Sequence, residues 1–600
     1  MRRLTHFLTA ALISSCSPLS TPSDNAARIK AVETNLLPQV RIEGDSTWTI
    51  ESRMAHYGVP GVSIAVIVDN KIAWSKAYGV MNKERKEPVT TQSLFQAGSI
   101  SKPVAAYGAL RITGSGKINS EANVNDYLKS WQLPENEFTK ECKVNLKQLL
   151  SHTGGVTVHG FGGYALGTPV PTLVQILNGE APANSPPIRV DKLPGVDFRY
   201  SGGGYSIMQQ MLIDVEGKPF PQIMQEQVLG PLGMQNSTYD QPLSTEKLVL
   251  ATTGYLPDGS MTEGERHIYP EMAAAGLWTT AEDRARYVID VQLSFKGESD
   301  KVLTREQTQQ MLTPYNSEDQ GLGPAIEKKG QEIYFGHGGW DEGFSSELIA
   351  HRDKGYGVVV LTNSNHPEFI SELIRAVAFT YEWSSYIPIY TSIASSDDDI
   401  RRLVGRYRYD SDNVVKVSAK DGKLYYQYPG LGTWRLFKVS DSTFARRERT
   451  ALIQFMNNPA DDKFYMVFRS GQDTTIFNRP RIGDDEKVPF EWFMEGDYAR
   501  AKKEYQAFIK SNPKDGTINE ESIADRGYNL MDQGKLQQAK ELFGINMELY
   551  PAGDGVYEDY GVACMKNGDK EEAIKYFKKA LSIDPKNSES LKSLAALEKK

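Results

Sequence analysis

The chain has 600 residues, of which 40% are hydrophobic, 24% charged and 10% aromatic, and its formal net charge is −8. This composition is typical of folded protein and excludes an extensively disordered chain. The negative net charge excludes a general affinity for nucleic acid or anionic lipid. Because a single hydrophobic core rarely extends beyond about 250–300 residues, the length predicts several domains.

The first residues have the pattern of an export signal. Two arginines precede a short apolar stretch from Leu4 to Ile13, which is too short for a membrane-spanning helix. The sequence from Ile13 to Cys16 is similar to a bacterial lipoprotein cleavage box. It predicts a signal over residues 1–16 and lipidation of Cys16, with a plain secretory signal as the alternative. Residues 17–45 would then form a tether and N-terminal segment of an exported lipoprotein of the bacterial envelope, facing the periplasm or held at the outer membrane.

Residues 46–388 alternate between strand-like and helix-like segments. An early β-hairpin closed by Asp69-Asn70 and a late buried strand lie at opposite ends of this region. The pattern predicts an α+β domain in which one antiparallel sheet joins both ends and carries packed helices. The predicted strands cover 62–68, 72–78 and 358–361, and the clearest helices cover 103–112 and 281–291.

A hydroxyl and an amine lie one helical turn apart at Ser99 and Lys102. A spacing of three places both side chains on one face of a helix that begins near Ser99, where the helix dipole favours negative charge on the serine oxygen. Pro103 supports such a start, because its missing N–H is tolerated only in the first turn. Burial would lower the pKa of Lys102 and let it take the serine proton. Ser244 and Lys247 have the same spacing, which we attribute to chance.

Two later stretches carry further candidate groups. A phenol at Tyr200, if held near Lys102, could act as general base toward Ser99 and as acid toward the leaving group. The alternative for Tyr200 is a buried aromatic side chain with a structural role. The glycine-rich stretch from His337 to Trp340 predicts a strand whose backbone can approach an acyl group closely.

These three motifs, in this order, resemble those of the class C-like branch of the serine β-lactamase and penicillin-binding protein superfamily. The resemblance covers about residues 46–385 and implies a serine hydrolase that forms an acyl-enzyme and needs neither metal nor cofactor. The implied site consists of catalytic Ser99, Lys102, Tyr200 and His337, an oxyanion hole from the backbone N–H groups of Ser99 and Trp340, and a substrate pocket lined by Ser201, Gly202, Gly338 and Gly339.

Two positions depart from the family pattern. Gly202 stands where a Tyr-x-Asn motif has asparagine, so an amide that would hold a substrate carbonyl is missing. His337 stands where a Lys-Thr-Gly motif begins, and an imidazole with a reference pKa near 6.5 binds a substrate carboxylate less well than lysine does. The sequence therefore favours esters or other amides over β-lactams and carboxypeptidase substrates, and it leaves the natural substrate open.

Other polar residues near these motifs are predicted to be structural. We expect His152, in the family-like stretch from Leu149 to Gly155, to bond backbone near a glycine turn. We expect Asp341 and Glu342 to lie in a solvated loop beside the glycine-rich strand. Five isolated histidines are expected at the surface or satisfied in the core: His56, His159, His267, His351 and His366.

Residues 396–482 change to short strands, with a hairpin turn predicted at Asp421-Gly422. They resemble the lipocalin-like β-domain that is often appended to class C-like hydrolases, and a small antiparallel barrel or sandwich is expected.

Residues 488–600 are predicted to be helical and repetitive. The repeat is seen in Gly534, Ala539, Phe543 and Pro551, which recur 34 residues later as Gly568, Ala573, Phe577 and Pro585. That period is typical of tetratricopeptide repeats, which predict either a protein-docking surface or a short stabilising appendage.

Two functions are consistent with these features. The first is a serine hydrolase, and the second is an envelope-anchored binding or scaffold protein that kept the fold with little or no catalysis. The joint presence of Ser99, Lys102 and Tyr200 favours the enzyme. The predicted partners are a small-molecule or peptide-like substrate and, through the repeats, a protein; no nucleic acid is expected, and the membrane is contacted only through a lipid anchor.

Overall fold

The computed structural model describes residues 22–429, 431–469, 476–512 and 515–598. Within these ranges the chain forms two compact units, one from residues 22–38 and 46–387 and the other from residues 39–45 and 388–598. The predicted signal and the predicted lipidation of Cys16 lie outside the described residues. In the described part of the chain, no helix has the length and apolar character needed to cross a membrane.

Helices occur in both units, and short 3₁₀ turns at Gly98–Ile100 and Val124–Asp126 and a π-helical turn at Gln225–Leu229 accompany them. The α-helices are α1 (Pro22–Thr34), α2 (Ile50–Tyr57), α3 (Ser101–Gly114), α4 (Leu146–Leu150), α5 (Leu173–Asn178), α6 (Gly202–Glu216), α7 (Phe220–Met224), α8 (Thr245–Leu248), α9 (Met272–Ala275), α10 (Ala281–Lys296), α11 (Arg305–Met311), α12 (Pro367–Thr380), α13 (Asp397–Leu403), α14 (Pro489–Met494), α15 (Tyr498–Ser511), α16 (Glu520–Asp532), α17 (Leu536–Leu549), α18 (Gly555–Asn567), α19 (Lys570–Ile583) and α20 (Ser588–Glu598).

The strands belong to one large sheet in each unit and to three short pairs. They are β1 (Arg41–Ile42), β2 (Gly61–Val68), β3 (Lys71–Asn82), β4 (Glu87–Pro88), β5 (Phe95–Gln96), β6 (Tyr164–Ala165), β7 (His267–Ile268), β8 (Trp278–Thr279), β9 (Ala325–Lys329), β10 (Glu332–Asp341), β11 (Phe344–His351), β12 (Gly357–Thr362), β13 (Ile389–Tyr390), β14 (Gly405–Arg408), β15 (Val414–Lys420), β16 (Lys423–Tyr428), β17 (Gly432–Lys438), β18 (Thr443–Arg446), β19 (Arg449–Asn457), β20 (Phe464–Arg469) and β21 (Arg481–Ile482).

The first unit is built on a seven-stranded antiparallel sheet in the order β4-β3-β2-β12-β11-β10-β9. The early strand β2 pairs with the late strand β12, with Ala65 opposite Val359, which confirms that one sheet joins both ends of the domain. The predicted hairpin is β2–β3. Its turn residues Asp69 and Asn70 both have positive φ, as a two-residue turn between twisted strands requires.

Helices cover both faces of this sheet and explain why β2 is buried along almost its whole length. Ala65 and Ile67 pack into a core shared with α3, α6 and α10. Ile64 and Val66, which point to the opposite face, pack into a second core with α1, α2 and α12. Helix α3 lies inside the first core and is apolar on nearly all sides, so its N-terminus is a rigid platform for the residues that precede it.

In the second unit the short strands form an eight-stranded antiparallel sheet in the order β20-β19-β18-β17-β16-β15-β14-β21. The Met466 N–H of β20 donates to the Arg479 carbonyl beside β21 at 3.0 Å, so the sheet nearly closes into a barrel. The predicted hairpin at Asp421-Gly422 joins β15 to β16.

Helices α14–α20 follow the barrel and keep the 34-residue period. Phe543 and Phe577 pack against Gly527 and Gly561, two glycines that are also 34 residues apart and leave no room for a Cβ atom.

The buried carboxylate of Asp412 in the barrel accepts hydrogen bonds from the Tyr505 hydroxyl (2.7 Å) and the Phe490 N–H (2.8 Å), and it pairs with Arg526 at 3.2 Å. This network fixes the barrel to the first repeat helices. Burial raises the pKa of Asp412 to about 6.

Candidate active site

Ser99 lies in the 3₁₀ turn that leads directly into α3. The Lys102 Nζ atom donates hydrogen bonds to the Ser99 Oγ and to the Ala274 carbonyl, each at 2.9 Å. Lys102 is only 1% exposed, whereas Ser99 is half-buried at the wall of a cavity. The predicted spacing therefore brings the hydroxyl and the amine into direct contact.

Ser101 fixes the shape of this turn, a role that the sequence analysis missed. Its hydroxyl donates to the Gly98 carbonyl at 2.6 Å and accepts from the Leu277 N–H at 3.0 Å. The Tyr239 hydroxyl donates to the Ser101 carbonyl at 2.8 Å. Because all three partners are buried, these bonds hold the turn more firmly than equivalent surface contacts would.

Two glycines let strand β10 approach the nucleophile turn at backbone contact. Gly98 has a φ of +53°, and a Cβ atom on it would lie 2.5 Å from the Trp340 nitrogen. A Cβ atom on Gly339 would lie 2.0 Å from the Ala97 carbonyl oxygen. Only glycine fits at both positions. The close approach brings the backbone of Trp340 beside the turn that carries Ser99, as the expected oxyanion hole requires.

Tyr200 lies just before α6 and lines the same cavity, whose volume is about 420 Å³. The Lys102 Nζ atom lies 4.9 Å from the centroid of the Tyr200 ring. The Tyr200 hydroxyl forms no hydrogen bond with any described residue. The amine thus contacts the face of the ring, and a small movement of Tyr200 is needed before a proton can pass between them, as is common in empty active sites.

Three histidine rings surround Tyr200. Their centroids lie 4.2 Å (His152), 4.9 Å (His159) and 6.1 Å (His337) from its own. The Ser201 N–H donates to Nδ1 of His152 at 3.0 Å, and the Arg199 N–H donates to the His152 carbonyl at 2.8 Å. These two bonds hold the backbone on both sides of Tyr200. They also agree with the structural role expected for His152.

His337 is a neutral hydrogen-bond acceptor in this site. Its Nδ1 donates to the Gly338 carbonyl at 2.5 Å, which leaves Nε2 without a proton. His337 is not among the described residues that line the cavity. Desolvation by burial, together with the positive charge of Lys102, lowers the pKa of His337 to about 4. The same two causes hold the pKa of the buried His152 well below its ordinary value.

Ser201 and Gly202 lie beneath the pocket, and the expectation that they line it is wrong. The Ser201 hydroxyl caps α6 by accepting from the Gly204 N–H (2.9 Å), and it donates to the Thr157 carbonyl (2.8 Å). The Gly202 N–H donates to the His159 carbonyl at 2.9 Å, and a Cβ atom on Gly202 would lie 3.0 Å from the ring of Phe161. The loop over residues 157–161 therefore fills the space that an asparagine side chain would use.

His159 and Phe161 line the cavity and are site residues that the sequence analysis missed. The other four isolated histidines were correctly placed outside the site; His351, for example, is satisfied by Glu332 at 2.6 Å. The glycine-rich run from Gly160 to Gly163 was the available signal for a loop that lies close to another backbone.

Gly338 is exposed with open space around it, and Gly339 faces Ala97, so neither lines the cavity directly.

Asp341 does not lie in a solvated loop, which corrects the expectation for it. It is the last residue of β10, is 1% exposed and lines the cavity. Neither carboxylate oxygen has a hydrogen-bond partner among the described residues. Burial raises the pKa of Asp341 well above its ordinary value, although Lys102 and the nearby Gly98 N–H favour the charged form. Glu342 does begin the following turn.

In the described part of the chain, one group of residues has the composition of a metal site: Cys564, Asp569 and Glu572. The Lys540 Nζ atom lies 2.6 Å from both carboxylates, so one ammonium group already pairs with the two of them. This cluster lies in the repeat helices and not in the cavity that holds Ser99.

Residues 48–381 match the family model described as Beta-lactamase, and residues 561–587 match the model described as Tetratricopeptide repeat. Protein flp of Staphylococcus aureus (strain MW2) is 22% identical over 351 residues, which are 56% of this chain and 66% of that protein. PbpX of Bacillus subtilis (strain 168) is 24% identical over 284 residues, which are 46% of this chain and 65% of that protein. This chain thus spans slightly less than two thirds of these relatives.

A solved structure, that of the octameric penicillin-binding protein homologue from Pyrococcus abyssi, covers 70% of this chain and 97% of its own chain. The two have 21% sequence identity and a TM-score of 0.48.

Proposed function

Because this chain belongs to the beta-lactamase family, whose members are serine hydrolases, we propose that it hydrolyses esters or amides through an acyl-enzyme on Ser99. The observation that carries the proposal is the 2.9 Å hydrogen bond between Lys102 and Ser99, at the wall of a cavity that Tyr200 also lines. A nucleophile, a basic group and a neighbouring acid around one cavity are what acyl transfer needs.

In the proposed reaction, the Ser99 Oγ attacks the carbonyl carbon and forms the bond to the acyl group. Its proton passes to a base that is unprotonated at that moment, either Lys102 as the free amine or Tyr200 as the phenolate after the small movement described above, and then to the leaving oxygen or nitrogen as that bond breaks. Water next attacks the acyl-enzyme ester and returns a proton to Ser99. The backbone N–H groups of Ser99 and Trp340 would stabilise the oxyanion, each by roughly 2.7–4 kcal/mol.

The lining of the cavity supports esters and ordinary amides over β-lactams. Lys102, the only lysine or arginine among the described residues that line it, already donates to Ser99 and Ala274. His337 offers an acceptor, and the Gly202 position offers no amide, so a substrate carboxylate or an acylamino side chain lacks its usual partners.

Two further proposals concern the rest of the chain. From the sequence we propose export with lipidation of Cys16. The match to the tetratricopeptide model supports a protein partner bound through that region.

A fluorophosphonate probe tests the nucleophile. We expect it to label the wild-type protein and not Ser99→Ala. Ser244→Ala is the matched control, because Ser244 and Lys247 share the spacing but the Lys247 ammonium donates to the Gln235 carbonyl at 3.1 Å, and only the Lys247 backbone N–H donates to the Ser244 hydroxyl. Ser244→Ala should keep full labelling. Equal labelling of wild type and Ser99→Ala would remove the assignment, and an unreactive wild type with no turnover would favour the scaffold function.

A substrate panel then tests the preferred acyl group. We expect p-nitrophenyl esters to be turned over faster than nitrocefin or D-alanyl peptides that carry a free carboxylate. Nitrocefin turnover far above ester turnover would contradict the preference inferred from Gly202 and His337.

A further inference from the structure

Aromatic side chains from two separate segments line the cavity that holds Ser99. His159 and Phe161 come from the loop over residues 157–161, and Trp340 comes from strand β10. Trp340 is 52% exposed, so a large apolar surface is open to whatever enters the cavity. The volume of about 420 Å³ exceeds the roughly 150 Å³ of an apolar protein cavity that binds benzene. The cavity therefore has room for a flat ring.

The ring of Phe161 occupies the space next to Gly202, where the family motif has asparagine. A Cβ atom on Gly202 would lie 3.0 Å from Cε2 of Phe161 and 3.2 Å from the His159 carbonyl oxygen. Real Cβ contacts are seldom this short, so an asparagine at this position would have to displace the ring. An aromatic ring thus stands in the place of a hydrogen-bonding amide, and it favours an apolar flat group in the substrate over a carbonyl group.

The polar groups of the lining offer little competing recognition. Lys102 is occupied by its two hydrogen bonds, and the oxygens of Asp341 are closed to solvent. Apart from the nucleophile and the aromatic side chains, the other described residues of the lining are small: Gly160, Gly162, Ala274 and Ala275. Because small residues do not cover the neighbouring rings, contacts with ring faces and edges are the main means of recognition.

The position of Tyr200 indicates which half of the substrate these rings contact. In the proposed reaction the leaving atom receives its proton from Lys102 or Tyr200, so the leaving group must lie beside them. The His159 ring centroid is 4.9 Å from that of Tyr200, and Phe161 packs against Gly202, two residues further along the chain. A ring on the leaving group would therefore meet His159 and Phe161.

We propose that the leaving group of the substrate carries an aromatic ring, which packs against Phe161 and His159. The inference rests on the hydrolase function proposed above. With an ester of an aromatic alcohol, the Ser99 Oγ bonds to the acyl carbon, the bond from that carbon to the alcohol oxygen breaks, and the Ser99 proton ends on that oxygen. The aromatic alcohol leaves, and water then hydrolyses the acyl-enzyme and releases the acid.

The test compares benzyl acetate with cyclohexylmethyl acetate on the purified full-length protein. The two esters share the acyl group and differ in whether the ring of the leaving group is flat and aromatic. We expect kcat/KM for benzyl acetate to be about 3- to 10-fold higher, the range of one good aromatic contact. Methyl phenylacetate and methyl cyclohexylacetate carry the same rings on the acyl half and should differ by less than about twofold. A preference confined to this second pair would overturn the placement on the leaving group.

Two phenylalanine variants test the wall itself. Phe161→Leu removes the ring and keeps an apolar side chain, so we expect the ratio of the first two esters to fall close to one. Phe198→Leu is the matched control, because Phe198 is 45% exposed but is not among the described residues that line the cavity. It should keep the wild-type ratio. An unchanged ratio in folded, active Phe161→Leu would contradict the role of Phe161.

Two glycines of α6 give a test that leaves every aromatic side chain in place. Gly202→Ala adds a Cβ atom 3.0 Å from the Phe161 ring and should displace it, which lowers the ratio toward one. Gly204→Ala makes only ordinary contacts, the nearest at 3.6 Å to Leu149, and should keep the ratio. Because each ratio compares two substrates on one variant, a general loss of activity cancels.

A competition measurement gives the preference without turnover. Benzyl alcohol should slow fluorophosphonate labelling of Ser99 more than cyclohexylmethanol does at the same concentration. Equal protection by the two alcohols, or a wild-type ester ratio near one, would overturn the aromatic leaving group. Absence of all hydrolysis and of Ser99 labelling would instead overturn the proposed function, so the two failures are distinguishable.

Discussion

At the scale of single residues, Gly98 and Gly339 determine how closely strand β10 approaches Ser99. Neither carries chemistry, yet a Cβ atom on either would overlap backbone atoms of the opposite segment. Ser101 holds the other side of the turn through Gly98 and Leu277. The contact between Lys102 and Ser99 therefore depends on three residues whose role is to place backbone.

Two adjacent glycines of β10 give a matched pair of variants. We expect Gly339→Ala to lower kcat/KM for an ester about 100-fold or more, because β10 must move and with it the Trp340 N–H. Overpacking should also lower the free energy of unfolding by about 1–3 kcal/mol. Gly338→Ala points into open space and should retain activity within about threefold. Ester kinetics and urea unfolding measure both effects, and similar losses in the two variants would contradict the close approach of β10.

Local strain is concentrated next to Tyr200. His152 and Val158 both have positive φ (60° and 64°), which is an unfavourable backbone conformation for a β-branched residue such as valine. The Val158 and His159 carbonyls accept from the Gly203 and Gly202 N–H groups at the start of α6. The strained loop thus caps the helix that follows Tyr200 and holds the backbone directly after this residue.

At the scale of elements, the alternation of β10 explains why Asp341 was wrongly predicted. The sequence after the glycine run indicates a turn, but the strand continues to Asp341 and turns only at Glu342. With a two-residue period, a one-residue difference in where the strand ends moves a side chain from solvent to the cavity. Asp341 is accordingly only 1% exposed, whereas Trp340, which also lines the cavity, is 52% exposed.

Helix α18 offers a test of the repeat packing, because it contains two glycines in different surroundings. Gly561 packs against Phe577, whose ring would lie 2.9 Å from an added Cβ atom, whereas Gly555 has only a Glu520 oxygen at 3.6 Å. We expect Gly561→Ala to destabilise the protein by about 1–3 kcal/mol despite the higher helix propensity of alanine. Gly555→Ala should stabilise it by up to about 1 kcal/mol. Circular dichroism during thermal unfolding measures the effects, and a change of the same sign in both would contradict the packing.

At the scale of the whole molecule, buried groups near the cavity give opposite trends of stability with pH. The pKa of His337 is lowered to about 4 in the folded protein, so the unfolded chain binds more protons below pH 6.5 and stability falls as the pH drops from about 6.5 to about 4. Burial raises the pKa of Glu271 to about 8, so the folded protein keeps a proton that the unfolded chain releases. The folded state is therefore stabilised by proton binding at Glu271 at low pH, and this stabilisation is lost as the pH rises from about 4.5 to about 8.

Glu271→Gln separates the second trend from the first. We expect the variant to gain stability relative to wild type as the pH rises from 5 to 8, by on the order of a few kcal/mol, because glutamine has no proton to lose. Urea unfolding at both pH values measures the difference. Glu226→Gln is the control, since the pKa of this exposed carboxylate is lowered by Lys218 and its removal should give no such gain at pH 8. Parallel pH profiles of Glu271→Gln and wild type would contradict the burial of an uncharged Glu271.

The sequence by itself determined the features that depend on spacing along the chain. The turn that joins Ser99 to Lys102, the hairpins at Asp69-Asn70 and Asp421-Gly422, and the 34-residue period of the last helices were all predicted from local pattern. Such features follow from 3.6 residues per helical turn, alternation along strands and the φ values that turns require. The order of the three motifs along the chain was also sufficient to identify the family.

Only the tertiary structure decided what lines the cavity. Phe161 fills the space beside Gly202, His152 stacks on Tyr200 while His159 lies tilted against it, and Asp341 turns inward. Each of these contacts joins segments that are distant in sequence, and whether they meet depends on how helices and strands pack and on the residue where β10 ends. A pattern within one segment carries no information about which side chain from another segment will occupy the same volume, and that is why the nucleophile was predictable and its surroundings were not.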